Sequence, residues 1–239
     1  MTTIKIITKQ EYLKQNKKPN QEQVWNSVAN AWNKYVVKKI PAVQTFLQNK
    51  SGKIIDLGCG DGRNMIPNPN IEYYGIDFSK DSLKHTKIRL KKENLNAKLF
   101  HSLVYNLPKE LKSNTFNAGL FIATLHCLET KEQRQQALKE FHRVLKPNAQ
   151  ALITVWNSED KRFKCVNNSG DIYMSWKDGE VFHMRHYYLF KKQELLTLIK
   201  KSGFKILEFY KPQTNLGLSG LEKDDKFSKK NWILRVKKQ

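Results

Sequence analysis

Seven short apolar runs and five amphipathic segments alternate along the chain and predict an α/β fold. Runs of β-branched and aromatic residues favour buried strands, whereas apolar residues spaced three and four apart favour helices. The predicted strands cover residues 53–57, 73–76, 97–100, 116–122, 151–155, 204–209 and 231–236, and the predicted helices cover 21–34, 41–48, 79–92, 131–145 and 191–202. Because alternating strands and helices form parallel sheets covered on both faces, we expect a doubly wound, mostly parallel, seven-stranded sheet.

One stretch of the chain has neither the apolar run of a buried strand nor the three- and four-residue spacing of a helix. Residues 156–184 mix aromatic residues, lysine and glycine, and we predict that they belong to an insertion. The whole chain of 239 residues is expected to form a single domain, because its 39% hydrophobic content supports one sizeable core. Within that domain we distinguish basic N-terminal helices (1–50), a core with the candidate cofactor motifs (51–155), an insertion on the substrate side (156–190) and a C-terminal helix with strands (191–239).

The chain is strongly basic. It has 43 lysine and arginine residues against 22 acidic residues, with a formal net charge of +21 and an isoelectric point near 9.8. Residues 1–50 carry nine basic and two acidic residues, 51–155 carry 16 and 10, and 156–239 carry 18 and 10. Such a surface attracts polyanions and binds them in a salt-dependent way. We therefore expect a nucleic-acid partner, RNA in particular, and the alternative is a solvated lysine-rich surface.

Other features of the composition exclude several classes of protein. No apolar run approaches 18 residues and the mean hydropathy is −0.65, which predicts no membrane span. The N-terminus lacks the apolar segment of a signal peptide. Cys59, Cys127 and Cys165 have no zinc-ligand spacing and cannot all pair. We therefore expect no metal site, no disulfide framework and a reducing, cytoplasmic location.

A glycine-rich motif follows the first strand of the core. It reads Ile54-Ile55-Asp56-Leu57-Gly58-Cys59-Gly60-Asp61-Gly62. Glycines at alternate positions let the backbone turn and approach a ligand without interference from Cβ atoms. In an open α/β sheet this loop lies at the carboxyl edge of the strands, where cofactors bind. A dinucleotide-binding G-x-G-x-x-G motif would place glycine at position 63, where this chain has Arg63.

An acid ends the second strand of the core. Asp77 lies 19 residues beyond Gly58, and a carboxylate there can accept hydrogen bonds from both hydroxyls of a ribose. Together with the loop, whose form is D-x-G-x-G-x-G, it resembles motif I of class I S-adenosylmethionine-dependent methyltransferases, which have a Rossmann-like fold. The resemblance implies S-adenosylmethionine as the cofactor. The residues expected to bind it are Asp56, Gly58, Cys59, Gly60, Gly62, Asp77, Phe78, Ser102, Leu103 and Ile122.

This chain departs from that class at one position. Many members carry an acid after the third strand that accepts from the adenine amino group, whereas residues 101–108 (HSLVYNLP) contain none. Ser102 or a main-chain carbonyl would have to accept in its place.

A narrower resemblance extends over most of the chain. Residues 121–128 (FIATLHCL), 132–147 (EQRQQALKEFHRVLKP), 151–157 (ALITVWN), 185–195 (RHYYLFKKQEL) and 230–233 (KNWI) are similar to the tRNA wobble-uridine carboxyl methyltransferases. The resemblance implies methyl esterification of 5-carboxymethyluridine in tRNA, and a small zinc-binding activator protein as a further partner. The family's Arg-Tyr-Lys cluster and Trp-Pro are here Val36-Val37-Lys38-Lys39-Ile40-Pro41, and its paired histidine is His126-Cys127.

The chemistry of such a reaction points to particular side chains. A carboxylate is already ionised at neutral pH and needs no general base, so the protein must align it with the methyl group. Arg185 is the first candidate for holding the carboxylate, with Tyr187 beside it and His126 at the end of the fourth strand. Candidates for binding the RNA substrate are Lys38, Trp156, Asn157 and Tyr188.

Two other functions stay open at this point. A small-molecule methyltransferase would share the fold but would not need the basic charge. An inactive RNA-binding scaffold would account for the absent adenine-side acid but not for the intact loop from Asp56 to Gly62. The candidate side chains also have structural alternatives, because Arg185 could be a surface charge and His126 a buried core residue.

Overall fold

The computed structural model describes residues 4–35, 38–210 and 230–239. The helices are α1 (Lys9–Leu13), α2 (Gln21–Tyr35), α3 (Pro41–Leu47), α4 (Lys80–Glu93), α5 (Lys131–Val144) and α6 (Lys192–Lys201). The strands are β1 (Ile6–Thr8), β2 (Gly52–Leu57), β3 (Ile71–Asp77), β4 (Ala97–His101), β5 (Phe116–Ile122), β6 (Leu145–Trp156), β7 (Gly170–Asp178), β8 (Val181–Leu189), β9 (Phe204–Tyr210) and β10 (Asn231–Lys238).

Seven of these strands form the predicted central sheet, in the order β4-β3-β2-β5-β6-β10-β9. The pairs among β4, β3, β2, β5 and β6 are parallel, whereas β10 runs antiparallel to both of its neighbours. The strand order reverses direction between β2 and β5, so the loops that follow these two strands diverge at the carboxyl edge and leave a crevice there. The predicted doubly wound, mostly parallel sheet is confirmed.

Alternate residues of the strands supply two apolar layers, one on each face of the sheet. Ile55 and Leu57 belong to the layer covered by α5 and α6, while Ile54 belongs to the layer covered by α3 and α4. Strands buried on both faces need apolar residues at successive positions, which is why they read as short continuous apolar runs. The helix caps agree with the sequence as well: the predicted N-cap Ser79 accepts from the backbone N–H of Ser82 at the start of α4.

The segment predicted as an insertion contains two strands that the sequence pattern did not reveal. β7 and β8 form an antiparallel hairpin, and β1 adds to the free side of β7 to complete a three-stranded sheet. Residues on both faces of this hairpin are buried, among them Ile172, Tyr173, His186 and Tyr187. Burial on both faces removes the polar–apolar alternation that identifies a strand, which is why the pattern of residues 156–184 predicted no strand there.

The junction between α5 and β6 also differs from the prediction. The helix ends at Val144 rather than at Leu145, and Pro147 lies inside β6 instead of stopping the helix. The pairing of β5 with β6 shifts its register between Phe116 and Ala118, and such an irregularity accommodates a proline that cannot donate to the ladder.

Helix α2 connects the two sheets. It packs against α4 on one side and against β8 on the other, and asparagines on its α4 side are hydrogen-bonded. Asn26 Oδ1 accepts from Ser79 Oγ at 2.8 Å, and Asn30 Oδ1 lies 2.8 Å from His85 Nε2. The helix therefore covers the carboxyl edge of β3 and β2.

None of the helices described is both long and apolar enough to cross a membrane.

Candidate active site

The three glycines of the loop after β2 each have a positive φ, but the atoms around them differ. A Cβ on Gly58 (φ +71°) would stand 2.3 Å from the Thr124 side chain, and one on Gly62 (φ +76°) would stand 2.7 Å from that of Thr86. A Cβ on Gly60 (φ +56°) would meet nothing within 4 Å. Gly58 and Gly62 are therefore needed for packing within the protein, whereas Gly60 leaves open space above the loop.

Side chains of α4 fix this loop from below. Thr86 Oγ1 donates to the carbonyl of Gly60 at 2.6 Å. Arg89 donates to the Asp61 carbonyl through Nε and to its carboxylate through Nη2, each at 2.9 Å. The Arg89 and Asp61 side chains are only 15% and 6% exposed, so the ion pair is shielded from solvent and holds the loop more firmly than a surface pair would.

Asp77 lies beside the loop, at the end of β3. One carboxylate oxygen accepts from the backbone N–H of Gly60 and the other from that of Ser79, both at 2.8 Å. Burial raises the pKa of Asp77 to about 6, although these backbone bonds act in the opposite direction. Each oxygen retains a further lone pair, so the carboxylate can still accept two hydroxyl hydrogen bonds from a ligand.

Asp56 lies deeper, under the loop. It is fully buried, and neither carboxylate oxygen has a hydrogen-bond partner within the described part of the chain. Burial raises the pKa of Asp56 to about 7, and the nearby Asn64 side chain partly opposes the shift. An acid without a partner at such a depth has a substantial desolvation cost, which favours its protonated form.

A cleft opens over the loop and Asp77. Seven of the ten predicted cofactor residues line it: Gly58, Cys59, Gly60, Asp77, Phe78, Leu103 and Ile122. Three do not. Asp56 and Gly62 lie behind the wall, and the Ser102 hydroxyl donates to the carbonyl of Asn106 at 2.9 Å. Ser102 is thus engaged in its own turn, and Glu129 enters the cleft wall from the loop after β5.

The cleft has a second wall that sequence reasoning missed. Gln21, Trp25, Ala29 and Trp32 of α2 line it opposite the glycine loop. Trp25 and Trp32 are seven residues apart and therefore share one face of a helix. That spacing was a signal in the sequence, but nothing there showed which element the face would cover.

Arg185 lies on the other side of these tryptophans. Its guanidinium carbon is 5.7, 5.3 and 5.0 Å from the ring centres of Trp25, Trp32 and Trp176, and 5.4 Å from that of Tyr187. We call these four rings the aromatic cage. Arg185 is 3% exposed, its Nε has no hydrogen-bond partner, and no acid of the described residues forms an ion pair with it. A guanidinium is always charged, so a buried one without a counter-ion indicates a site for an anion.

Tyr187 and His126 extend the same cluster. The His126 ring stacks on Tyr187 with centroids 5.6 Å apart, and Trp156 lies 3.9 Å from Tyr187 and 5.1 Å from His126. The Tyr187 hydroxyl and both ring nitrogens of His126 are buried, and none has a partner among the described residues. Burial lowers the pKa of His126 to about 3, with Arg162 contributing. His126 is therefore neutral and can donate one N–H.

The remaining predicted substrate residues lie elsewhere. Tyr188 points to the opposite face of β8, where its hydroxyl donates to Glu194 at 2.5 Å and Arg134 covers its ring at 3.7 Å. The Asn157 side chain accepts from the backbone of Glu159 at 3.0 Å and shapes the turn after β6. Lys38 is exposed beyond α2, and its neighbours Val36 and Val37 lie outside the described residues.

Comparison with known proteins agrees with this architecture. A family described as a methyltransferase domain matches residues 54–148. A protein of Schizosaccharomyces pombe named tRNA (carboxymethyluridine(34)-5-O)-methyltransferase is 29% identical over 211 residues, which are 78% of this chain and 89% of that protein. An Arabidopsis thaliana protein of the same name is 33% identical over 141 residues, 58% of this chain but only 33% of its own length.

The fold is also found among solved structures. An S-adenosylmethionine-dependent methyltransferase from Clostridium acetobutylicum superimposes with a TM-score of 0.64 over 90% of this chain and 98% of its own. The sequence identity is 16%, so this likeness concerns the fold alone.

Proposed function

We propose that this chain, which is an S-adenosylmethionine-dependent methyltransferase, acts on tRNA and esterifies the carboxylate of a 5-carboxymethyl wobble uridine. The observation that carries the proposal is the buried, unneutralised charge of Arg185 next to the cofactor cleft. The names of the Schizosaccharomyces pombe and Arabidopsis thaliana relatives support the nature of the substrate.

The cleft fits the cofactor. Asp77 would hold the ribose hydroxyls, the backbone around Gly60 would lie against the amino acid portion, and Phe78, Leu103 and Ile122 offer apolar contact to the base. Bound S-adenosylmethionine supplies a sulfonium methyl group, which an acceptor carboxylate oxygen takes while the sulfur keeps the electron pair of the broken bond, so that no proton moves.

The protein's own groups would then orient the acceptor. The Arg185 guanidinium offers two parallel N–H donors to a carboxylate, and the Tyr187 hydroxyl and neutral His126 can each donate one more hydrogen bond. Because Arg185 Nε, the Tyr187 hydroxyl and the His126 ring nitrogens are buried without a hydrogen-bond partner within the described residues, an entering carboxylate could accept from all three side chains. The surrounding rings exclude water, which strengthens these bonds. Cys127 lines the cleft, but burial raises the pKa of its thiol to about 12, so it stays protonated and is a poor nucleophile.

A macromolecular substrate is favoured by the charge of the chain. A net charge of +21 promotes encounter with RNA, and the exposed Lys161 and Lys164 follow Trp156 in the chain. As part of the proposal, we expect the protein to function in the cytoplasm and a small zinc-binding protein to activate it. Mixing the purified chain with such a protein and measuring turnover would test the activation directly.

The test is transfer of an isotope-labelled methyl group to tRNA that carries or lacks the 5-carboxymethyl group. We expect label only on the carboxymethylated tRNA, in a nucleoside whose mass rises by one methylene and whose label is released by mild alkali, as an ester requires. Labelling of the unmodified tRNA, or label that resists alkali, would refute esterification. Labelling of small carboxylic acids but of no RNA would favour a small-molecule methyltransferase.

Arg185→Lys and Arg185→Ala separate the anchoring of the acceptor from binding of the cofactor. Lysine cannot supply the bidentate fork, so both variants should lose on the order of a hundredfold or more in single-turnover rate while binding S-adenosylmethionine normally. Equal rates for the three proteins on carboxymethylated tRNA would remove Arg185 from the site.

A further inference from the structure

The carboxamide of Gln21 bonds to β8 on both sides of Arg185. Gln21 Nε2 donates to the carbonyl of Met184 at 3.2 Å, and the backbone N–H of His186 donates to Gln21 Oε1 at 2.8 Å. The side chain comes from the first turn of α2, more than 160 residues earlier in the chain, and Gln21 is only 8% exposed. The two bonds therefore bracket the residue whose guanidinium occupies the aromatic cage.

β8 needs such a partner because it is an edge strand. The small sheet has the order β1-β7-β8, so one side of β8 has no neighbouring strand among the described elements. A glutamine side-chain amide can direct an N–H donor and its carbonyl oxygen to the same side, and Gln21 uses both on this edge. It acts as a single-residue extension of the sheet.

We propose that Gln21 is a positioning residue for Arg185. Fixing the carbonyl of Met184 and the N–H of His186 restricts rotation of the backbone at Arg185, and so aims its guanidinium between Trp25, Trp32 and Trp176. Because Gln21 begins the helix that carries Trp25 and Trp32, the same two bonds also fix α2 relative to β8. The proposal rests on the proposed function insofar as Arg185 anchors the acceptor.

The chain offers a matched control. Gln23 lies two residues further along α2 and is exposed. Gln21→Met and Gln23→Met make the same chemical change, and both keep the length and helix propensity of the side chain. Only the first removes the two bonds to β8.

The first measurement does not depend on activity. In protein labelled with nitrogen-15, the Nε–H resonance of Arg185 is shifted by the aromatic rings around it and is assigned by its disappearance in Arg185→Lys. Gln21→Met should move this resonance, whereas Gln23→Met should leave it in place. An unmoved resonance in a folded Gln21→Met protein would overturn the proposal, and so would an equal shift in both variants.

The second measurement is a double-mutant cycle on turnover. At saturating cofactor, Gln21→Met should lower the single-turnover rate on carboxymethylated tRNA by roughly ten- to a hundredfold, as a small misplacement of a positioning group does. If Gln21 acts through Arg185, the same change in an Arg185→Lys background should cost little more.

The outcomes separate the two proposals. Full additivity in the cycle, or a loss of cofactor affinity with an unmoved Arg185 resonance, would show that Gln21 serves the cofactor cleft and not Arg185. A moved resonance together with an Arg185→Lys enzyme as active as wild type would leave Gln21 as a positioning residue but refute Arg185 as the acceptor anchor.

Discussion

The two sides of the site differ in how their polar groups are satisfied. On the cofactor side, the loop groups bond to one another: Asp77 accepts from Gly60 and Ser79, and Thr86 and Arg89 hold the loop. On the acceptor side, Arg185, Tyr187 and His126 are buried with atoms that find no hydrogen bond in the described part of the chain. Apart from the buried Asp56, whose carboxylate oxygens also lack a partner among the described residues, the cofactor side satisfies its polar groups within the protein, whereas the acceptor side leaves three neighbouring side chains for a ligand to bond.

This difference follows from where the residues lie in the chain. The cofactor loop and the residues that support it lie between Asp56 and Arg89, on β2, the segment that joins it to β3, β3 itself and α4. The acceptor side combines α2, the turn after β5, the end of β6 and the β7–β8 hairpin. A buried unpaired polar group costs about 1–3 kcal/mol. Its retention in several separate elements indicates a function other than stability.

The largest effect should come from Arg185→Met. Replacing a buried charge that has no counter-ion should change the free energy of unfolding by no more than about 1–2 kcal/mol, because relief of desolvation offsets the lost cation–π contacts. The transfer rate should nevertheless fall at least a hundredfold. Chemical denaturation and single-turnover kinetics on one preparation measure both quantities. A loss of about 3–5 kcal/mol in stability, as for a broken buried ion pair, would show that Arg185 has a structural role and would remove the contrast.

Replacing the loop glycines with alanine should have a smaller effect than Arg185→Met, and should change both stability and cofactor affinity. Gly58→Ala forces a Cβ against Thr124 at a positive φ, and should destabilise the protein by about 2–4 kcal/mol from clash and backbone strain together. Gly60→Ala meets open space, so it should cost only about 1–2 kcal/mol of strain. It should still weaken cofactor binding, since the new methyl group enters the cleft. Denaturation curves and cofactor calorimetry on both variants provide the comparison, which equal losses of stability would contradict.

Protonation of Asp77 should change cofactor affinity about tenfold between pH 5 and pH 8. Burial raises its pKa to about 6, so the folded state favours the protonated acid. The stability that this contributes is complete below about pH 4 and is lost as the pH rises through 6.

Cofactor affinity should change in the opposite direction, because the ionised carboxylate is the better acceptor for hydroxyl groups. We expect affinity about tenfold weaker at pH 5 than at pH 8 by calorimetry. Asp77→Asn should bind weakly at both pH values, and a pH dependence as steep as wild type would assign the titration to another group.

The sequence placed seven of the ten predicted cofactor residues at the cleft because the signals on that side are local. The glycines, Asp56 and Asp77 lie within one motif and its next strand, and the strands of the central sheet read as continuous apolar runs. The acceptor side could be predicted only in part. The resemblance pointed to Arg185, Tyr187 and His126, but their meeting with Trp25 and Trp32 depends on how α2 packs against β8.

The hairpin β7–β8 was missed for a related reason. Its two faces are both buried, one against α2 and one against α1 and α5, so neither a period of two nor an obvious apolar run is present. Ser102 illustrates the limit for single side chains: its hydroxyl could have faced the cofactor, but a carbonyl four residues away accepts from it. Such choices depend on loop geometry that a list of residues does not contain.

The smallest predicted effect is on tRNA affinity. It tests whether the exposed lysines next to the acceptor side bind RNA more strongly than exposed lysines elsewhere on the protein. Lys161 and Lys164 are exposed next to the acceptor side, and Lys91 and Lys92 are exposed in the last turn of α4. Replacing either pair with glutamine removes two positive charges, so both variants change the net charge equally. If RNA approaches over the acceptor side, Lys161→Gln with Lys164→Gln should weaken tRNA binding several-fold near physiological salt. The slope of log affinity against log salt should also fall by up to about 1.4–1.8, since each phosphate contact contributes about 0.7–0.9.

Lys91→Gln with Lys92→Gln should leave the slope nearly unchanged. Filter binding of tRNA between about 50 and 200 mM salt measures both quantities. Equal slopes for the two variants would mean that the basic charge attracts RNA without directing it to the acceptor side.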